Sequence, residues 1–294
     1  MEQEEEEDAG KPEDPALAAE VEGAKGQKPN GWEVAYETFT INGRCLGYGE
    51  PLRVKAGQRV MFRILNASAT ETIELALPGH EFYVVGLDGN PVPRPAKVKT
   101  LQLGAAERVE AIVEMNHPGV WILGTPKDED RNRGMGIVVE YANRTGNPQW
   151  HPPGKSDWNY LPFGGSTPAA PPDHVIPMEL GKINGGNGGF NLWTINGEPF
   201  EKSEPIKIQQ GRRYRLAFVN KSDDLHPLHL HRHNFELTKV HGQATAGIFK
   251  GTVLIQGFSR LEVDFVANNP GLTLFHCHQN LHMDFGFMRL FEYV

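Results

Sequence analysis

The chain has only two cysteines, Cys45 and Cys277, in 294 residues, so a disulfide framework is excluded and at most one bridge could form. Long apolar runs are missing too: nothing approaches the roughly 18 consecutive apolar residues of a membrane-spanning helix. Basic charge is in deficit, with 29 Lys and Arg against 37 Asp and Glu, and this removes the electrostatic footprint of a nucleic-acid binder. The start, MEQEEEEDAG, is acidic and polar where a secretory leader would be basic and apolar. The chain is therefore expected to be neither membrane-spanning nor visibly exported, and its compartment is unknown. No long helical apolar pattern occurs either.

The charge that is present is unevenly placed. Residues 1–24 carry ten acids against one base, a net of −9, and the rest of the chain carries +1. An acidic run without aromatic residues buries too little surface to offset its ordering entropy. Residues 1–31 are expected to form an acidic disordered tail.

Beyond the tail the sequence repeats itself. Ile41-Asn42-Gly43, Pro51, Gly57, Arg59, Asn66 and Ser68 recur as Ile195-Asn196-Gly197, Pro205, Gly211, Arg213, Asn220 and Ser222, at a spacing of 154. His80, Phe82 and Gly89 match His233, Phe235 and Gly242 at 153, and Arg108 and Pro118-Gly119 match Arg260 and Pro270-Gly271 at 152. So small a drift means two homologous domains that differ by loop deletions. Segments 59–65, 213–219, 108–113 and 260–265 alternate polar and apolar residues, the period of half-buried strands, with Gly, Pro and Asn turns between them. An all-β sandwich or barrel follows for each copy, 32–142 and 191–294, joined by a Pro/Gly-rich linker over 143–190.

The chemistry is concentrated in the second copy. Seven of the 12 histidines lie in two short segments, His226-Pro227-Leu228-His229-Leu230-His231-Arg232-His233 and His276-Cys277-His278-Gln279-Asn280-Leu281-His282. On a strand His276 and His278 share one face while Cys277 points to the other. The economical assignment is two metal regions: His226, Cys277 and His282 on one side, and His229, His231, His276 and His278 on the other. Two histidines and one cysteine are the ligand set of a blue-copper centre. Zinc could use the same donors, but a structural zinc site wants a fourth strong ligand, and none is evident nearby.

These two segments resemble the motifs HPxHLHxH and HCHxxxHxxxG of the multicopper oxidases, the family of laccases, ascorbate oxidase and bilirubin oxidase. The first copy resembles that family's middle domain through Gly79-His80-Glu81-Phe82 and Leu87-Asp88-Gly89-Asn90-Pro91, so the likeness spans roughly residues 32–294. It implies two tandem cupredoxin-like Greek-key domains and copper as cofactor. It makes His226, Cys277 and His282 type 1 ligands, His229 a type 2 ligand, and His231, His276 and His278 type 3 ligands. It also implies a small-molecule electron donor, by default a phenol or aromatic amine meeting the exposed edge of a type 1 histidine, and dioxygen as acceptor. His233 matches a family histidine that is not a ligand, and a structural role is expected for it. Family members are usually periplasmic or secreted.

Several positions depart from the pattern. Phe287 stands at the axial place and cannot coordinate, which should raise the copper's potential. Met288 is a nearby competitor or a core residue. Some relatives have a proton-delivering acid right after the last type 1 histidine; here that place is Met283, and Asp284, one step on, is the candidate relay. Above all, the family's trinuclear cluster needs four HxH pairs and this chain supplies two. At the place in the first copy matching His276-Cys277-His278 the sequence reads Gly124-Thr125-Pro126. A separate chain or domain would have to supply two further HxH pairs. The expected function is thus a laccase-like oxidase that half-supplies its oxygen site. The alternative is a type 1 copper electron-transfer or copper-binding protein. A cupin-like site using His229, His231 and Glu236 is a third, weaker reading.

Overall fold

The computed structural model describes residues 14–24, 31–156 and 158–294. The first repeat is built from β1 (Leu52–Val54), β2 (Arg59–Leu65), β3 (Ile73–Ala76), β4 (Phe82–Leu87), β5 (Asn90–Val98), β6 (Thr100–Leu103), β7 (Arg108–Glu114), β8 (Val120–Gly124) and β9 (Gly136–Tyr141). The second adds β10 (His174–Asn187) and β11 (Phe190–Ile195) ahead of β12 (Ile206–Ile208), β13 (Arg213–Asn220), β14 (His226–Leu230), β15 (Phe235–Val240), β16 (Gln243–Lys250), β17 (Thr252–Ile255), β18 (Arg260–Val266), β19 (Thr273–Cys277) and β20 (Met288–Tyr293). The first repeat packs a sheet of order β1-β9-β8-β3-β6 on one of order β2-β7-β4-β5. The second has β12-β20-β19-β14-β17 on β11-β10-β13-β18-β15-β16. Strand for strand the two orders are the same, apart from the two strands added beside β13.

The alternation read from the sequence sets these faces. Along β13, Tyr214, Leu216, Phe218 and Asn220 are buried and the residues between them half-buried. Asn66 and Asn220, matched at 154, do the same work in both copies. Asn66 donates its amide to the carbonyls of Glu71 and Leu103 and accepts from Ser68. Asn220 donates to Asp224 and Gln256 and accepts from Ser222. Each closes an Asx turn that leads into the next strand.

Two expected boundaries need correction. Residues 1–13 and 25–30 of the expected tail lie outside the described residues, but Pro15–Ala24 is a helix, α1, and not a disordered stretch. Asp14 caps it by accepting the Leu17 N–H at 3.0 Å, and Pro15 takes the first helical place, where its missing N–H costs nothing. Leu17 and Ala18 are buried, and Asp14 pairs with Arg260 at 3.3 Å and donates its N–H to the Phe258 carbonyl. The composition hid a capped helix with an apolar contact of its own.

The second correction is β10, which lies inside the stretch expected to be linker. It runs parallel to β13 from His174 to Leu180 and then antiparallel to β11. Met178 and Leu180 are fully buried, an alternation masked by the surrounding Pro and Gly. Pro177 is tolerated because β10 is paired there on the β13 side only. The linker proper ends before His174.

Candidate metal centres

The register of β14 against β19 builds both sites. Leu228 lies opposite Cys277, and His229 opposite His276. Residues opposite each other across a ladder share a face. His226 keeps the parity of Leu228 and Cys277, whereas His229 and His231 keep that of His276. A short helix α2 (Asp128–Asn132) in the first repeat and α3 (Asn280–Asp284) in the second follow β8 and β19. α3 carries His282, whose N–H is capped by the Gln279 side chain at 2.8 Å.

On the Cys277 face three donors converge. His226 Nδ1 and His282 Nδ1 are 3.1 Å apart, and the Cys277 Sγ lies 3.9 and 3.7 Å from them. The point equidistant from the three lies about 2.1 Å from each, a metal–imidazole bond length. His226 donates its Nε2–H to the Ser222 hydroxyl at 2.8 Å, which leaves Nδ1 as the free donor. Burial holds the His226 pKa down to about 3 and sends that of His282 well below the usual range, so both rings are neutral. Burial also pushes the Cys277 thiol far up. Such a thiol ionises only when a cation compensates it, and two neutral imidazoles with one soft sulfur suit copper. The residues present therefore fit the metal.

The surroundings are aromatic and dry. The Trp193 ring lies 3.9 Å from that of His282 and 5.0 Å from that of His226, and it stacks on Phe287 at an interplanar angle of 7°. Phe287 is fully buried with its ring 4.8 Å from His226, so this side of the donor set is lined by hydrocarbon. Met288 is the next residue on β20, paired with His276, and by strand parity faces away from Phe287. The expected exposed edge of the type 1 histidine is not present: His282 is 3% exposed beneath Trp193, which is itself 1% exposed. Trp193 was missed in the sequence, although a signal existed. It stands two places before Ile195-Asn196-Gly197, where the first repeat has Phe39 before Ile41-Asn42-Gly43.

On the other face, donor atoms of His229, His231 and His276 lie within 4.8 Å of one another. His229 donates Nδ1–H to the Gly251 carbonyl at 2.6 Å, and His276 donates Nδ1–H to the Cys277 carbonyl at 2.8 Å, so each keeps Nε2 free. The Nε2 atoms of His231 and His276 face each other at 3.0 Å, a pair that one shared proton or one cation satisfies. Burial lowers the His276 pKa to about 4. His278 stands beside this trio, its ring 5.3 Å from that of His276 and 6.0 Å from that of His229. Asp284 is exposed at the last residue of α3, on the element of His282 and on neither histidine strand.

Two other residues are accounted for. His233 bonds the His231 carbonyl through Nδ1 and the Tyr293 hydroxyl through Nε2, as His80 bonds Pro78 and Tyr141 in the first repeat. Both are structural. The cupin-like grouping is overturned: Glu236 sits in the opposite sheet, paired with Arg213 and accepting the Gly247 N–H at 2.9 Å.

Comparison with known proteins places the chain in a family. Family models described as multicopper oxidase match residues 13–141 and 171–294. The chain belongs to the multicopper oxidase family. Multicopper oxidase MmcO of Mycobacterium tuberculosis is 32% identical over 272 residues, covering 90% of this chain and 52% of the relative. A laccase of Pycnoporus cinnabarinus is 23% identical, covering 80% of this chain and 53% of the laccase. Among solved structures, Fet3p, a multicopper oxidase that functions in iron import, superposes with a TM-score of 0.69 at 17% identity, over 84% of this chain and 58% of Fet3p. A multicopper oxidase from Pseudomonas thermotolerans gives 0.61 at 23% identity, over 83% and 57%. These structures share the cupredoxin fold. The chain spans about half the length of the curated relatives it matches.

Proposed function

We propose that this multicopper oxidase chain performs the electron-accepting half of a laccase-like reaction, the one-electron oxidation of small phenolic or similar donors coupled to dioxygen reduction. The observation that carries the reading is the back-to-back placement of Cys277 and His276. The thiol belongs to one donor set and the neighbouring imidazole to the other, and the Cys277 carbonyl accepts the His276 Nδ1–H at 2.8 Å. The two sets are thus joined by a few covalent bonds and one hydrogen bond. Bound copper would supply one-electron redox chemistry at His226, Cys277 and His282, and oxygen activation beside His229, His231, His276 and His278.

The protein's own residues prepare each step. His226 and His282 are held neutral by burial, and the buried rings of Trp193 and Phe287 pack against them and exclude water. The oxygen site is completed by two further HxH pairs from another polypeptide or domain. A second reading, electron transfer at the Cys277 centre alone, draws support from the trio, which is only part of a trinuclear ligand set.

Electron paramagnetic resonance with copper counted per chain tests both. A type 1 signal, lost in Cys277→Ser, is expected, with negligible oxygen uptake until a domain carrying two HxH pairs is added. A copper-loaded chain without a thiolate-to-copper band would overturn the reading. Failure of every such domain to restore turnover would favour electron transfer.

A further inference from the structure

The first repeat has no copper ligand among its described residues, yet it reaches the strand beside His229. In β17, Thr252 lies opposite His229. The Thr252 N–H donates to Asp88 Oδ2 at 3.0 Å, and Asp88 comes from the turn between β4 and β5 of the first repeat. The other oxygen of Asp88 accepts the Arg108 N–H at 2.7 Å. Lys250 Nζ lies 3.2 Å from Asp88 and 3.0 Å from Glu107, and all three side chains are at most 1% exposed. Tyr160, from the segment joining the repeats, donates its hydroxyl to Glu107 and accepts the Leu254 N–H at 3.2 Å. Asp88 therefore grips β17 and its approach at residues 250 and 252. Between them stands Gly251, whose carbonyl accepts the His229 Nδ1–H at 2.6 Å.

Burial alone would lower the Lys250 pKa, but the two carboxylates more than offset it, so the cation persists. Buried ion pairs return little net stability for their desolvation, and their best-attested use is to fix one arrangement over its competitors. Here the arrangement fixed is a carbonyl. Outer hydrogen bonds of this kind set the tautomer and ring orientation of a ligand histidine.

We propose that Asp88 is a positioning residue for the three-histidine site: by holding Lys250 and Thr252 it aims the Gly251 carbonyl, which keeps His229 protonated at Nδ1 and free at Nε2. The copper-free repeat thereby acts on the metal site of its neighbour. The copper arm of the test rests on the function proposed above; the tautomer arm does not.

The test uses the full chain. Long-range ¹H–¹⁵N correlation at pH 8 on metal-free, histidine-labelled protein should show His229 as a single Nδ1–H tautomer, a mixture in Asp88→Asn, and an unchanged tautomer in Glu107→Gln. Glu107→Gln is the control because it removes a charge from Lys250 without touching Thr252. Copper titration read by electron paramagnetic resonance should show Asp88→Asn weakening the histidine site about 10-fold, with the thiolate band of the Cys277 centre intact and Glu107→Gln near the unmodified affinity. Asp88→Asn with unmodified tautomer and affinity would overturn the proposal, as would equal effects from both variants. If Asp88→Asn does not fold, an Nε2–H tautomer of His229 in the unmodified chain still overturns it. An unmodified chain that takes no copper at this site sinks the functional reading, and the tautomer comparison still decides the role of Asp88.

Discussion

The two repeats share strand order, turn chemistry and the His–Tyr bond at the end of the last strand, and they differ at the metal. Where the second repeat places His226, Cys277 and His282, the first has Ile73, Thr125 and Asp130; Met135 stands for Phe287 and Phe39 for Trp193. These five first-repeat residues still line one cavity, of about 20 Å³, room for a single water. Gly134 and Gly286, both at positive φ, take matching places, the first against the Phe39 carbonyl and the second against that of Trp193. The fold therefore holds the site's shape without its chemistry. The candidate ligands His226, Cys277 and His282 decorate two strand ends and the helix α3, and the core that supports them is separately maintained.

The sharpest way to break this comparison is Cys277→Ser, for which complete loss of the blue absorption is expected, while Thr125→Ser leaves it untouched. Next in size is the converse graft. Ile73→His, Thr125→Cys and Asp130→His together should add one thiolate-bound copper per chain, counted by elemental analysis. Trp193→Ala removes a fully buried indole and should cost about 3–5 kcal/mol in denaturant titrations, while speeding anaerobic bleaching of the blue band by ferrocyanide.

Acid should then separate the repeats. The folded His226 pKa of about 3 lies below the unfolded value of 6.5, so the unfolded chain binds the extra proton between them. That contribution to stability is present above pH 6.5 and is lost as pH falls toward 3. The metal-free protein should lose about 1.6 kcal/mol from this one residue between pH 6.5 and 5, a slope that His226→Phe removes. Smallest of all, exposed Asp284 changed to Asn should alter turnover of the complemented oxidase less than about twofold if it is only a solvated acid; a larger fall, deepening with pH, would make it a proton relay.

Much of this was legible because it is local or periodic. The drift from 154 to 152 gave matching strands, and the parity of His229, His231, His276 and Cys277 anticipated the two faces. The parts that escaped depend on distant contacts. α1 shows its cap in Asp14-Pro15, but its apolar contact is with the folded body. β10 hides its alternation among Pro and Gly, and becomes a strand because β13 offers an edge. Trp193 was visible as a departure from Phe39, yet its place over His282 requires β11 to fold across the end of α3. The Asp88 clamp joins residues more than 160 positions apart and leaves no periodic trace.

The register of β14 and β19 also determines what kinds of change the gene can survive. Substitution at a ligand costs the metal and spares the architecture, as the first repeat demonstrates. Inserting or deleting one codon within Thr273–Cys277 is different in kind, because a pleat has a period of two. A single-residue slip would carry the thiol to the histidine trio and bury an imidazole in its stead, exchanging the roles of both faces at once. In this strand the reading frame of the sheet is as binding as that of the codons, and only paired insertions could keep sulfur and imidazole on their own sides.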